Sequence, residues 1–393
     1  MPEGVSRKLR LGIAGLGRAF SVMLPTFLRD PRVSLVAAAD PRPEARTRFE
    51  IDIGGRTYET VAALCEDAAV EVLYVATPHQ FHAEHACLGA SAGKHLLIEK
   101  PMCLSLAEAT EIIEAARHAR VHVLVGHSHS YDAPVLKTRK LIESGVYGAV
   151  RMITAVNYTD FLYRPRRPEE LDTSRGGGAL LNQAPHQVDI VRLLGGGCVA
   201  SVRAQTGAWD HMRPTEGAYA ALLNFTNGAY ASLAYSGYGH FDSDEWQNWI
   251  GEMGQTKSAR PFARRHFASA EEELAAKNAG NYGGSGWEAP APQSLLHQHF
   301  GTIIVSCDRA DLRPSPAGVM IYDDKGMQLD ALLPPAVPRG EVINELYAAV
   351  IEGETSPLHN GRWGRATLEV CLAMLQSAHE GKDIALTYQV PVG

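Results

Sequence analysis

Five short apolar runs are spaced from Leu9 to Val125, with helix-length segments between them. They are Leu9–Ala14, Val33–Ala39, Val70–Ala76, His95–Ile98 and Val121–Val125. Continuous apolarity suits a strand buried on both faces. Strand–helix alternation of this kind builds an open, doubly wound parallel sheet.

The first run leads into Gly15-Leu16-Gly17-Arg18-Ala19-Phe20. A glycine turn between strand and helix lets the backbone approach a pyrophosphate at the helix N-terminus. Gly15, Leu16, Gly17, Arg18 and Ala19 are therefore candidate dinucleotide contacts. The third position of the pattern is Phe20, where a small residue would allow close helix–strand packing. Pro25 predicts a kink in a helix over Arg18–Leu28. The second run ends on Asp40. An acidic residue there accepts hydrogen bonds from an adenosine ribose and repels a 2′-phosphate, which favours NAD. Arg42 leaves NADP open. Thr77-Pro78 closes the third run, and His82 opens a helix running to Ala92. His79, His82 and His85 follow at three-residue spacing, but no carboxylate or thiolate completes a zinc set, so no metal is expected.

The fourth run lies within Gly93–Pro101, GKHLLIEKP. Ligands of an open parallel sheet sit beyond the carboxyl ends of its strands. Glu99 and Lys100 stand at such an end, and Lys100 is placed for chemistry. Ser105–Glu108 is a capping box that starts the next helix.

Beyond Gly126 the pattern changes. Asp132 and Pro134 begin a helix that ends near Gly145, and Val150–Tyr158 alternates like a half-buried strand. The loop Phe161–Arg175 carries Arg164, Arg166, Arg167 and Arg175. Gly176–Gly178 then leads to Asn182, His186 and Asp189, whose i, i+4 and i+7 spacing gives them one helix face if the first turn extends back that far. Pro185 suits its first turn. Strands are expected at Val199–Thr206, Tyr219–Thr226 and Tyr230–Tyr235, the last two joined by Asn227-Gly228. Residues 254–293 read as a polar, Gly/Pro-rich insertion, mobile unless it closes as a lid. Helices are expected at Glu341–Glu352 and Arg362–Glu380.

Composition bounds the rest. A chain of 393 residues with 45% hydrophobic content supports two domains, here 1–128 and 129–393. A formal net charge of −7 gives no nucleic-acid footprint. No apolar run is long enough to span a bilayer, and the N-terminus lacks a signal-peptide pattern. The six cysteines are scattered and read as reduced thiols of a cytoplasmic protein.

The set GLGR, Asp40, ATPHQFHAEHA, GKHLLIEKP and VGHSHSYDAPV resembles the glucose–fructose oxidoreductase, inositol dehydrogenase and MocA-like family over essentially the whole chain. The resemblance implies a Rossmann domain followed by an α/β domain. In the second domain a mostly antiparallel open sheet carries the substrate site and the interface of a homodimer or homotetramer. It implies that Lys100 stands beside nicotinamide and substrate, and that His129 belongs to the substrate site. The family's Asp-x-x-x-His pattern falls on Asn182 and His186. A neutral amide can orient a hydroxyl but cannot take its proton, so base work falls on Lys100 and His186. The implied reaction is NAD(P)-dependent oxidation of a secondary alcohol, with hydride leaving carbon as a base takes the hydroxyl proton.

Within the family, SHSYDAP, the arginine loop, NQAPHQVDIVRLLGGG and SCDRADLRPSPAGVMIY resemble the phthalate 4,5-dihydrodiol dehydrogenases of aromatic catabolism. That implies oxidation of cis-4,5-dihydro-4,5-dihydroxyphthalate to 4,5-dihydroxyphthalate. Guanidinium groups suit carboxylates, which makes Arg164, Arg166 and Arg175 candidate contacts for an anionic dihydrodiol. A sugar or inositol dehydrogenase, with an idle arginine loop, is the first alternative. A non-catalytic dinucleotide-binding regulator is the second.

Overall fold

The computed structural model describes residues 7–126, 128–259, 264–288, 296–354 and 357–392. Two compact units divide the chain. The first takes in 1–127, 275–291 and 337–365, and the second 128–274, 292–336 and 366–393.

The first unit is built on β1 (Leu9–Ala14), α1 (Arg18–Arg29), β2 (Val33–Ala39), α2 (Pro43–Ile53), β3 (Arg56–Tyr58) and α3 (Val61–Cys65). These are followed by β4 (Val72–Val75), α4 (His82–Ser91), β5 (His95–Ile98), α5 (Leu106–Ala119) and β6 (Val123–Val125). The strands form one sheet in the order β3-β2-β1-β4-β5-β6, and every pairing is parallel. This is the Rossmann order, with its switch point between β1 and β4. All four residues of β4 are buried, as a strand covered by helices on both faces requires. α1 runs through Pro25 as a single helix. Ser105 and Glu108 form the capping box that starts α5. β3 was not expected: three residues with an exposed arginine carry too little apolar pattern.

The second unit contains α6 (Ala133–Glu143), β7 (Val150–Tyr158), α7 (Gly178–Asn182), α8 (Ala184–Gly195), β8 (Val199–Gly207), β9 (Ala218–Phe225) and β10 (Tyr230–Ser236). After α9 (Ala270–Ala279) come β11 (Thr302–Cys307), β12 (Asp311–Ser315), β13 (Gly318–Asp323) and β14 (Gly326–Ala331). α10 (Gly340–Tyr347), which belongs to the first unit, α11 (Gly361–Glu380), which begins in the first unit's span and ends in the second's, and β15 (Ile384–Ala385) complete the chain. The nine-stranded sheet has the order β14-β13-β12-β11-β7-β10-β9-β8-β15. Its pairings are antiparallel except β7·β10, which is parallel. Every residue of α8 is buried, and the helix packs on β7 and β10. Ile153, Ala155, Leu233 and Tyr235 face it from the sheet.

Within 254–293 a few described residues anchor an otherwise largely exposed stretch. Glu273 of α9 is buried and pairs with Arg213 at 2.6 Å. Tyr282, in the first unit, is fully buried edge-on against Phe20 at 5.1 Å and donates to Asp52 at 2.9 Å. Phe20 is thus accommodated where a small residue was expected. Residues 260–263 and 289–295 lie outside the described set.

Candidate active site

The first unit carries a dinucleotide cradle. Gly15 adopts φ +95°, and a Cβ there would lie 2.8 Å from the Ala76 carbonyl, so this turn accepts only glycine. Gly17 is the N-cap of α1 and places no side chain over the helix end. A Cβ on it would meet nothing within 4 Å, which leaves the amide end of α1 approachable by a pyrophosphate. Arg18 is exposed in the first turn, and Ala19 is half-buried. Asp40, at the end of β2, is buried. It accepts from the Leu16 amide at 2.8 Å and from the Arg42 amide and guanidinium at 2.9 and 3.0 Å. Arg42 also donates to the Leu16 carbonyl at 2.9 Å. These residues fit a dinucleotide, with the acidic residue and its arginine beside the turn.

Two further strand ends lie in this unit. His82 is buried, with its ring nitrogens 2.9 Å from the Pro101 carbonyl and 2.8 Å from the Thr77 carbonyl. It thereby ties the loop after β4, Thr77-Pro78, to the loop after β5. Burial pushes its pKa down, against the pull of the two carbonyls. Glu99 is turned into the core, where Tyr74 donates to it at 2.5 Å. Lys100, half-buried, follows at the strand end.

The second unit carries the polar cluster around α7 and α8. The helix that carries His186 does not extend back to Asn182. The chain breaks at Gln183, so Asn182 ends α7 and His186 lies in the first turn of α8. Asn182 donates to the carbonyls of Gly176 at 3.1 Å and Gly178 at 2.8 Å. Its NH₂ group thus fixes the glycine turn. Asp189 accepts from Ser128 at 2.6 Å and from Thr367 at 2.8 Å, deep in the core. Glu216 was not singled out from sequence. It accepts from the Leu180 amide at 3.1 Å, and a Cβ on Gly178 would lie 2.0 Å from it.

His186 packs edge-on to His129, with ring centroids 4.8 Å apart. Both rings lean on Phe300, at 5.0 and 5.3 Å. His129 Nδ1 lies 2.7 Å from Asp132, and its Nε2 lies 3.4 Å from Glu252, another residue that sequence reading passed over. Burial alone would lower the His129 pKa. The charge and hydrogen bond of Asp132, then Glu252, outweigh it and raise the pKa to about 9. Burial likewise opposes ionisation of Glu252, but His129, then Arg164 and His299, bring it down to about 2.

The arginine loop supplies its own counter-charges. Arg164 donates to Asp160 at 2.8 Å. Arg166 is buried, stacks 3.8 Å over the Phe161 ring, and lies 3.6 Å from Glu170. Burial, only partly offset by Glu170, lowers its pKa to about 10. Arg167 pairs with Glu169 at 3.0 Å. Arg175 is exposed. Among the described residues no group of three or more His, Cys, Asp or Glu is arranged to hold a metal ion.

Comparison with known proteins agrees with this geometry. Residues 9–127 match the model of the oxidoreductase family with an NAD-binding Rossmann fold, and 135–256 match the GFO/IDH/MocA C-terminal domain. A 1-carboxy-3-chloro-3,4-dihydroxycyclohexa-1,5-diene dehydrogenase of Comamonas testosteroni is 44% identical over 94% of both chains. The crystal structure of a Bordetella bronchiseptica RB50 protein described as a dehydrogenase superposes with a TM-score of 0.90 at 42% identity, covering 96% of this chain and 100% of that one. The WlbA dehydrogenase of Bordetella pertussis, solved with NADH and UDP-GlcNAcA, shares the fold at a TM-score of 0.67 and 22% identity, covering 97% of this chain and 99% of its own.

The chain belongs to the GFO/IDH/MocA oxidoreductase family. It is an NAD-dependent dehydrogenase.

Proposed function

We infer that the enzyme oxidises a cis-dihydrodiol that carries a ring carboxylate, giving the corresponding catechol carboxylate. The observation that carries this reading is the similarity, along nearly the whole chain, to a dehydrogenase of a carboxylated dihydroxycyclohexadiene. The chemistry of the residues supports it. Bound at Gly15–Ala19 and Asp40, NAD supplies the hydride acceptor. Lys100 takes the hydroxyl proton, directly or through His186, while Asn182 orients the hydroxyl. The ketone formed enolises to an aromatic ring, which draws the reaction forward.

The phthalate dihydrodiol is one such substrate. Arg164 and Arg166 are already paired within their own loop, so Arg175 is the arginine best suited to a ring carboxylate. The sheet face opposite α8 exposes Leu222, Tyr230, Ile304, Tyr322, Met327 and Leu329. This apolar row supports a homo-oligomer formed through the sheet, which sedimentation of the wild type against Ile304→Glu measures.

Initial rates with NAD on a panel of carboxylated dihydrodiols, myo-inositol and aldoses test the function. A dihydrodiol should exceed the polyols and sugars in kcat/KM by at least about tenfold, or 1.4 kcal/mol. Preference for inositol or a sugar would replace this reading with the polyol alternative. No turnover of any alcohol would favour a regulator.

A further inference from the structure

Glu252 sits on a tight loop in the second unit. The loop is closed by hydrogen bonds from the Lys257 amide to the Trp249 carbonyl and from the Gly251 amide to the Gln255 carbonyl, both 2.7 Å. Asn248 and Trp249 enter it at φ 56° and 58°, a region costly for residues other than glycine. Strain held by surrounding structure keeps a loop in one shape. The Glu252 carbonyl also accepts from the His299 amide at 3.3 Å. The loop therefore presents the carboxylate at a fixed place, and one of its oxygens, Oε1, lies 3.4 Å from His129 Nε2. His129 is in turn fixed by Asp132 and by ring packing on His186 and Phe300. Glu252 thus stands one imidazole away from His186. Its side chain is 29% exposed, so the carboxylate is neither sealed in the core nor free in solvent.

We propose that Glu252 recognises the second hydroxyl of the vicinal diol, with His129 as the positioning residue that aims it. The inference rests on the dihydrodiol reading and adds to it the group that distinguishes a diol from a single alcohol. An ionised carboxylate only accepts hydrogen bonds. Oε1 faces His129, and Oε2 accepts the hydroxyl that is not being oxidised. A ligand with one hydroxyl leaves that acceptor unfilled in a partly desolvated site, which is where discrimination by hydrogen bonding is strongest.

The test uses the full-length enzyme saturated with NADH and three product-like probes: 3,4-dihydroxybenzoate, 3-hydroxybenzoate and 4-hydroxybenzoate. Titration calorimetry should show the wild type binding the catechol at least about tenfold more tightly than either phenol. Glu252→Gln replaces the charged acceptor by a neutral amide and should cut that ratio severalfold with no change in NADH affinity, which reports an intact first unit. Glu252→Asp keeps the charge on a shorter arm and should retain part of the ratio. In turnover, the loss in Glu252→Gln should fall on KM more than on kcat, a split that general damage to the fold does not produce. If the catechol preference is absent in the wild type, or persists undiminished in Glu252→Gln while dihydrodiols are turned over, this role is wrong and the dihydrodiol reading stands. If the wild type neither binds the probes nor turns over any dihydrodiol, the underlying reading fails and takes the proposal with it. Should Glu252→Gln not fold, Glu252→Asp decides: a ratio equal to that of the wild type overturns the proposal.

Discussion

The amide of Leu16 donates to Asp40 Oδ2 at 2.8 Å, joining the glycine turn to the end of the neighbouring strand. The carboxylate meant for the ribose therefore also holds the turn in shape, and Arg42 pairs with its other oxygen at 3.0 Å. Asp40→Ala should weaken NAD binding by about tenfold or more, the scale of a lost hydrogen bond to a charged group. It should also release Arg42 for a 2′-phosphate, so NADP should lose less than NAD. Titration of both cofactors checks this. Equal losses would assign Asp40 to the turn alone.

The arginine loop divides into structural and available groups. Arg166→Ala removes a buried guanidinium from the ring and the carbonyl of Phe161, while Glu170 keeps Arg167, so the loss is that of packing and a charge-assisted hydrogen bond, roughly 1.5–3 kcal/mol. It should show as a lower denaturation midpoint. Arg175→Ala should leave stability unaltered and raise KM for a carboxylated dihydrodiol. Kinetics of Arg175→Ala identical to wild type would remove this arginine from recognition.

The raised pKa of His129, about 9, has a consequence for stability. Unfolded histidine titrates at about 6.5. The native state holds a proton that the unfolded chain releases, so the stabilisation is complete below that value and fades as pH rises through about 9. Glu252, depressed to about 2, describes the acid side of the same pairing: its contribution is present above the usual glutamate value and lost as pH falls through about 2. Among the described residues, groups facing the His129 ring include Asp132, Glu252, His186 and Phe300. Melting temperatures measured across the alkaline range should fall faster for the wild type than for His129→Gln. Parallel slopes would mean that His129 is not the group responsible.

Much of the first unit could be read in the sequence, because strands buried on both faces leave uninterrupted apolar runs. β3 escaped because an edge strand of three residues needs little apolar surface. In the second unit β7 to β10 were legible from alternation, and Pro185 marked the start of α8, but the separate turn that ends at Asn182 was not legible. It depends on Asn182 turning its amide back onto Gly176 and Gly178, a local competition that residue spacing does not reveal. Glu216 and Glu252 were invisible for another reason: their partners Leu180 and His129 lie 36 and 123 residues away. Neutralisation of the arginine loop, by contrast, was on display in its own Glu169 and Glu170.

The central claim is that Lys100 takes the proton as hydride leaves the substrate carbon. Comparing kcat of Lys100→Met with the wild type, on a turned-over dihydrodiol and with NAD affinity measured alongside, tests it most directly. The account predicts unchanged NAD binding and a fall in kcat of about 10²–10⁴-fold, the scale of a lost general base. A Lys100→Met enzyme with near-wild-type kcat would contradict it.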